Sequence, residues 1–260
     1  DVIGDGIDDL IIGAPYAQSN IGYSAGKTYV VFGSTTDLDE NLDLSILDGS
    51  NGFILNGIDA NNNNDLSGSA VSSAGDVNGD GIDDLIVSAK QAAPDNDTYA
   101  GETYVIFGTA TPFASEQVNL ADLNTTGGPS GFLLKGTDPL DYSGTSVSAA
   151  GDINGDGIDD IIIGAPYTAG PYGNDCAGKS YVIFGNANFS TSYELSEVGT
   201  ASGPDGFIIN GVSLGDSAGV SVSAAGDIND DGVDDLIIGA RDASPYSNTY
   251  AGASYVINGD

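Results

Sequence analysis

The stretch Asp76-Val-Asn-Gly-Asp-Gly-Ile-Asp-Asp-Leu85 decides the fold, because nearly the same ten residues occur four times in the chain. The copies begin at Asp1, Asp76, Asp152 and Asp227, so their starts are 75, 76 and 75 residues apart. A fixed period of this length is typical of a repeat protein in which each unit is one supersecondary element. The fold is therefore predicted one repeat at a time.

Three further blocks recur at this period, and all are rich in β-branched or aromatic residues bounded by Gly, Asn, Asp or Ser. One unit holds the candidate strands Phe53–Asn56, Ser69–Ser73, Leu85–Ser88 and Thr103–Phe107. The third is apolar on consecutive residues, which predicts burial on both faces, whereas the alternation in the fourth predicts a less buried outer strand. Four strands per long repeat predict an all-β fold, a β-propeller of four-stranded antiparallel blades.

The strand count predicts the domain organisation, a single propeller region over residues 1–260. The units are a partial blade of two strands at 1–50, followed by blades at about 51–125, 126–200 and 201–260. This makes about three and a half blades, and a closed propeller has four or more. Because the chain also starts inside a motif, we expect it to be part of a larger propeller. Short segments at 41–47 and 119–124 are predicted as helical turns or extra edge strands.

The composition excludes several classes of protein. With 5 basic and 38 acidic residues the net charge is −33, which argues against nucleic acid and anionic lipid surfaces as partners. The 40% of hydrophobic residues, in dense Ile, Val and Leu blocks, predict a folded core. The absence of His removes the usual general base, and a single Cys forms no intrachain disulfide. No apolar run approaches the roughly 18 residues of a membrane span, so we expect no direct membrane insertion.

The repeated motif, Asp-x-Asn-x-Asp-Gly-x-Asp-Asp, has the oxygen spacing of a calcium loop. Side chains at positions 1, 3 and 5 can point inward together, Gly at position 6 permits a sharp turn, and the carbonyl at position 7 adds an oxygen. Position 12, a Glu in an EF-hand, is apolar here, so Asp at position 9 must close the shell. The predicted ligands are Asp76, Asn78, Asp80, the Ile82 carbonyl and Asp84; Asp152, Asn154, Asp156, the Ile158 carbonyl and Asp160; and Asp227, Asn229, Asp231, the Val233 carbonyl and Asp235.

The first loop departs from this pattern, because position 3 is Ile3, which has no side-chain oxygen. Its remaining candidates are Asp1, Asp5, the Ile7 carbonyl and Asp9, and we expect weak binding or none. The sequence thus predicts three Ca²⁺ sites and a doubtful fourth. Two alternatives stay open: Asx turns without metal, and Mg²⁺, which a nearly all-protein oxygen cage suits less well. We expect the position-8 residues to face solvent or cap turns; these are Asp8, Asp83, Asp159 and Asp234.

These motifs resemble the FG-GAP repeats of the integrin α-chain β-propeller and its bacterial relatives. The Phe-Gly and Gly-Ala-Pro elements that give that family its name occur here as Phe32-Gly33, Phe107-Gly108 and Phe184-Gly185, and as Gly13-Ala-Pro15 and Gly164-Ala-Pro166. The chain departs from them at Ser88-Ala-Lys90, Gly239-Ala-Arg241 and Asn258-Gly259, and its period is longer than the family's usual blade. The resemblance implies a seven-bladed propeller with calcium in hairpin loops on one face, working in extracellular adhesion or recognition.

The sequence therefore predicts a calcium-binding extracellular module for cell-surface adhesion or for protein or glycan recognition. Two alternatives are a structural subunit of a coat or filament, joined through open blade edges, and a non-catalytic accessory module of a secreted enzyme. We expect no catalysis, because most clustered carboxylates belong to the loops and no nucleophile–base set forms without His. Loop tyrosines are candidates either for ligand contacts or for packing over blade edges; these are Tyr16, Tyr142, Tyr167 and Tyr246.

Overall fold

A computed structural model describes residues 1–18, 24–35, 42–58, 64–111, 116–126, 128–169, 176–245 and 250–260. Tyr246 lies outside these residues. The described strands are β1 (Leu10–Ala14), β2 (Lys27–Val31), β3 (Gly52–Asn56), β4 (Ser67–Gly75), β5 (Asp84–Ala89), β6 (Glu102–Ile106), β7 (Gln117–Asn119), β8 (Gly131–Lys135), β9 (Ser146–Gly151), β10 (Asp160–Ala165), β11 (Lys179–Ile183), β12 (Ser192–Glu194), β13 (Gly206–Asn210), β14 (Ala218–Gly226), β15 (Asp235–Ala240) and β16 (Ala253–Ile257). The described residues also form short 3₁₀ helices at Leu44–Ile46, Pro94–Asn96, Leu120–Asp122 and Leu195–Glu197.

The strands form four antiparallel sheets that follow one another along the chain. Their antiparallel strands are β1-β2-β3 in the first, β4-β5-β6-β8 in the second, β9-β10-β11-β13 in the third and β14-β15-β16 in the fourth; β7 and β12 add a parallel edge strand to the first and the second. The registers repeat from sheet to sheet, with Ile86 opposite Val105 in the second as Ile162 is opposite Val182 in the third. The predicted fold class, an all-β chain with four-stranded antiparallel sheets, is confirmed.

The sheets group the strands differently from the sequence units. The Gly-Phe strands β8 and β13 pair with β6 and β11, so each is the fourth strand of its sheet and not the first strand of the next. The units at 51–125, 126–200 and 201–260 therefore each begin with a strand that belongs to the preceding sheet. The first sheet likewise has three described strands in place of the predicted two, because β3 completes it. A sequence period fixes the length of a repeat but not the point at which one sheet ends.

The hydrophobic core lies between successive sheets. One cluster joins the first and second sheets, another the second and third, and a third the third and fourth. All six residues of β5 are buried, with Leu85 and Val87 in the first of these clusters and Ile86 in the second. The prediction that this strand is buried on both faces is thus confirmed for β5 and for β10, but it is wrong for the equivalent strands β1 and β15, where Leu10 is 51% and Ile237 38% exposed. The expectation that Thr103–Phe107 is a less buried outer strand is wrong for Thr103 to Ile106. These residues are buried, because β6 lies between β5 and β8 within the sheet.

The connection from the third to the fourth strand of a sheet crosses to the preceding sheet. The crossing segments are β7, which pairs in parallel with β3, and β12, which pairs in parallel with β8. A 3₁₀ turn follows each, with Leu120 or Leu195 fully buried. The segment at 119–124 therefore contains both predicted alternatives, the end of an edge strand and a helical turn. The segment at 41–47 contains the 3₁₀ helix Leu44–Ile46; residue 41 lies outside the described part.

The stack of sheets has two distinct ends. The repeated Asp-rich loops join first to second strands, as 76–84 joins β4 to β5, and the Phe-Gly pairs follow the third strands at this same end. We call it the motif end. The loops between second and third strands, such as 90–101 between β5 and β6, and those that precede the first strands lie at the opposite end.

Candidate metal loops and their surroundings

The Asp-rich loops are built on hydrogen bonds from the backbone to the predicted ligand side chains. In the second loop, the Asp80 N–H donates to Asp76 Oδ1 at 3.0 Å and to Asn78 Oδ1 at 2.9 Å, so two predicted ligand oxygens converge on one amide. The Gly81 N–H donates to Asp76 Oδ2 at 2.7 Å, and the Ile82 N–H to Asp80 Oδ1 at 3.0 Å. The third and fourth loops repeat these bonds around Asp152, Asn154 and Asp156 and around Asp227, Asn229 and Asp231.

The first loop adopts the same turn without a polar side chain at position 3. The Asp5 and Gly6 N–H groups donate to the two Asp1 oxygens at 3.0 and 2.7 Å, and the Ile7 N–H donates to Asp5 Oδ1 at 2.9 Å. Ile3 packs against the cluster between the first two sheets. The loop conformation is therefore independent of the position-3 amide, and what the first loop lacks is one ligand oxygen.

The position-9 carboxylates tie each loop to the Phe-Gly turn. Asp84 is fully buried; its two oxygens accept from the Val77 N–H at 3.0 Å and the Gly108 N–H at 2.8 Å. Asp9, Asp160 and Asp235 make the equivalent pairs of bonds. The loop pattern by itself predicts these residues as metal ligands only and gives no indication of this second role. The available signal was the glycine that follows each of them at an almost constant distance, 24 residues away for Asp84.

The carboxylates of one loop lie close enough to influence one another. Burial, supported by the charges of Asp80 and Asp76 and opposed by the two backbone N–H bonds, raises the pKa of Asp84 to about 7. Burial likewise raises the pKa of Asp160 to about 7, with Asp156 and Asp152 adding to the shift. A divalent cation among these groups would offset this mutual repulsion.

The donor set fits a hard cation in its chemistry. Among the described residues, no three Asp, Glu, Cys or His side chains are already arranged as metal ligands. The predicted set, however, also uses an Asn amide oxygen and a backbone carbonyl, and oxygen donors of these kinds suit calcium. Each position-9 oxygen that accepts one N–H keeps a further lone pair. The loops thus offer an oxygen-only set held by backbone hydrogen bonds.

The glycine of each Phe-Gly pair is required by a close approach. A Cβ atom on Gly185 would lie 2.4 Å from both the Asp159 carbonyl oxygen and Ile158 Cγ2. Gly33, Gly108 and Gly259 meet the equivalent atoms at 2.3–2.6 Å. The position-7 side chain therefore packs on the Phe-Gly turn, while its own N–H holds the position-5 carboxylate. This contact explains why the two motifs occur together.

The position-8 residues link neighbouring repeats. Asp159 Oδ2 accepts from the Asp76 N–H at 2.9 Å, and Asp234 Oδ2 accepts from the Asp152 N–H at 3.1 Å. Asp83 Oδ2 pairs with the terminal ammonium of Asp1 at 3.0 Å. Each of these three thus caps position 1 of the preceding loop, and the expected turn-capping role joins neighbouring repeats. Asp8 is exposed.

A second set of acidic residues lies at the opposite end, before each first strand. Asp65, Asp141 and Asp216 are only 3–6% exposed. Burial, supported by Asp138 and opposed by Lys179 and Thr168, raises the pKa of Asp141 to about 6. Sequence analysis missed this set, although the repeated Asp-x-x-Gly ahead of each first strand was visible.

Residues 67–106, 143–183 and 218–257 each match the family model of the FG-GAP repeat. The matched segments contain the first three strands of the second, third and fourth sheets. Within the described residues, no helix has the length and hydrophobicity needed to cross a bilayer.

The chain is also similar to curated proteins of two kinds. It is 32% identical to integrin alpha-IIb of Homo sapiens over 173 residues, which are 65% of this chain. It is 29% identical to integrin alpha-8 of Mus musculus over 247 residues, which are 87% of this chain. It is 29% identical over 192 residues, 74% of this chain, to phosphatidylinositol-glycan-specific phospholipase D of Bos taurus. These matches span only 14%, 20% and 20% of the respective relatives. The FG-GAP repeats and the integrin α similarity assign the stacked sheets to a β-propeller.

Proposed function

We propose that this chain, an integrin α-like FG-GAP repeat protein, is a calcium-binding β-propeller module that works outside the cell, in adhesion or in recognition of a protein or glycan. The observation that carries the calcium assignment is the convergence of the position-1 and position-3 oxygens on one backbone amide in three successive loops. The extracellular and adhesive part rests on the similarity to integrin α chains.

In this proposal calcium has a structural role. Positions 1, 3, 5, 7 and 9 of the second, third and fourth loops hold the ion, which supplies positive charge among carboxylates that otherwise repel. The loop conformation itself is held by hydrogen bonds from backbone N–H groups, and the position-9 carboxylate connects the loop to the Phe-Gly turn. Each ion removes 2 units of charge, so three ions bring −33 to −27, and an acidic surface remains.

Calcium titration by calorimetry tests this proposal. We expect three ions per chain, and two for Asp80→Asn, which weakens the second loop alone. Asp5→Asn in the first loop is the matched control and should leave the count at three. A protein that binds no calcium at about 2 mM, within the range of weak extracellular sites, would refute the assignment, as would a count unaffected by Asp80→Asn.

A second candidate function is a non-catalytic accessory module of a secreted enzyme. The observation that favours it is the similarity to a phospholipase D over 74% of this chain and 20% of that protein. Hydrolysis of a phosphatidylinositol-glycan substrate by the purified chain would contradict the non-catalytic proposal; binding of such a substrate without turnover would favour the accessory role over adhesion.

A further inference from the structure

Basic side chains are scarce in this protein and two of them line the same groove. The chain has 5 Lys and Arg residues against 38 acidic ones. Lys90 and Arg241 both line a groove of about 490 Å³ at the opposite end, together with Tyr142, Thr145 and Tyr167. Both replace the Pro of the Gly-Ala-Pro element. In a chain with a net charge of −33, the groove thus holds two positive charges, of which Arg241 is paired with Asp242 at its edge.

The aromatic side of the groove consists of Tyr142 and Tyr167, and a third tyrosine, Tyr99, packs behind them. The rings of Tyr142 and Tyr167 lie 5.5 Å apart at 71°, and Tyr99 stacks against Tyr142 at 5.5 Å and 25°. Tyr99 and Tyr142 have φ of 55° and 50°, a left-handed conformation that costs a non-glycine residue about 1 kcal/mol or more. The Tyr142 N–H donates to the Tyr99 carbonyl at 3.0 Å. The same left-handed φ occurs at the equivalent positions Leu66 and Ser217, so the backbone conformation belongs to the repeat and the tyrosine contacts are built upon it.

The cations of the groove retain donors for a ligand. Arg241 is 58% exposed; its Nε pairs with Asp242 at 3.2 Å and one terminal nitrogen donates to the Tyr167 hydroxyl at 3.4 Å. For Lys90, no ion pair with another described residue occurs. Lys135 contrasts with it, since its Nζ pairs with Asp95 at 2.8 Å and with Glu194 at 3.5 Å.

We propose that this groove binds a short carbohydrate that carries a carboxylate, such as a uronic acid oligosaccharide; this rests on the proposed recognition function. The volume of the groove lies in the range of small-ligand sites, about 300–1,000 Å³. A specific protein partner would instead cover a broad surface of about 800 Å² on each side. Tyrosine rings offer flat apolar faces for a sugar ring, and Lys90 and Arg241 supply charge-assisted hydrogen bonds to the carboxylate. The acidic surface repels a long polyanion, while charges beyond about 8 Å are screened from a short ligand at physiological salt.

Calorimetry with the full chain in calcium tests the proposal. The probes are a uronic acid trisaccharide, its methyl ester and a sulfated neutral trisaccharide. We expect the free acid to bind, and the ester to bind at least about tenfold more weakly because it has lost the charge, a difference of about 1.4 kcal/mol. Equal binding of acid and ester overturns the proposal, and tighter binding of the sulfated sugar overturns the carboxylate assignment.

Variants locate the site. We expect Lys90→Gln and Arg241→Gln each to lower the affinity for the acid by about 5–10-fold, and Tyr167→Ala by about tenfold. Lys135→Gln removes the same charge from β8 and should leave the affinity unchanged; a loss as large as that of Lys90→Gln contradicts the groove. A glycan and protein array separates the two proposals. If the chain captures only ligands whose binding Lys90→Gln does not change, the groove inference is wrong and the recognition function stands; if it captures none, both fail.

Discussion

Substituting two aspartates of the third loop separates the structural role of position 9 from metal binding. Asp160 is fully buried and accepts from the Ile153 N–H at 3.0 Å and the Gly185 N–H at 2.8 Å. In Asp160→Asn a single oxygen remains, and the new NH₂ group faces one of the two N–H donors. An unsatisfied buried donor costs about 1–3 kcal/mol. In chelator we therefore expect Tm to fall by about 2–12 °C, given about 2–4 °C per kcal/mol for a domain of this size.

Asp156→Asn is the matched variant in the same loop. Asp156 is exposed; its Oδ1 accepts from the Ile158 N–H at 2.9 Å, which Asn also provides, and its Oδ2 accepts from the exposed Asn154 side-chain amide at 3.1 Å. In chelator its stability should stay within about 0.5 kcal/mol of wild type. With calcium at about a hundred times its Kd, both variants should lose a further contribution of about 2.7 kcal/mol from the third site.

Thermal melts in chelator and in calcium, with the second and fourth loops intact, measure both effects. If the two variants destabilise equally in chelator, the structural role assigned to Asp160 is wrong. If calcium raises the Tm of wild type and of both variants by the same amount, neither residue contributes to a calcium site.

Three further predictions follow from contacts outside the metal set. Gly185→Ala should lower the free energy of urea unfolding by about 1–3 kcal/mol, because its Cβ has no room. Gly157→Ala has open space but φ of 90°, so it should cost about 1–2 kcal/mol and leave the Phe-Gly turn intact. Protease cleavage at that turn should therefore rise only in Gly185→Ala. Asp159→Ala should lower stability by about 1–2 kcal/mol by removing the bond to the preceding loop, and Asp8→Ala by less than about 0.5 kcal/mol; equal losses would contradict the link between repeats. Because the folded pKa of Asp141 is about 6, above its ordinary value of 3.8, its contribution to stability is complete below about pH 4 and declines as pH rises through about 6. Asp141→Asn should reduce this decline in the free energy of unfolding, measured by urea titration, by up to about 3 kcal/mol, and an unchanged pH profile would refute it.

The sequence was sufficient for the features that repeat with a recognisable chemistry. The apolar run Leu85–Val87 predicted burial on both faces, which the packing confirms. The loop spacing predicted which side chains would turn inward, and Asp76 and Asn78 do converge on one amide, while the metal itself stays a prediction.

Other features depend on partners that are distant along the chain. A strand such as Gly131–Lys135 has the same apolar pattern whether it pairs with the preceding or the following sheet, so its pairing with β6 was not readable. The three-residue strands β7 and β12 are too short for any periodicity. The two N–H partners of Asp84, one of them 24 residues away, depend on the folded turn and not on local sequence.

The crossing segments determine how force would pass through the molecule. Side-chain packing alone would let neighbouring sheets slide or hinge, but β7 joins the second sheet to β3 of the first by backbone hydrogen bonds, including one from the Ile54 N–H to the Glu116 carbonyl at 2.8 Å. The Leu133 N–H makes the corresponding bond to the Thr191 carbonyl at 3.1 Å. Separating two sheets therefore requires breaking a small parallel ladder at the outer edge as well as the core contacts. Tension between the sheets would reach β7 and β12 directly, and each of these two sheet pairs would resist separation most strongly at the edge that carries the parallel ladder.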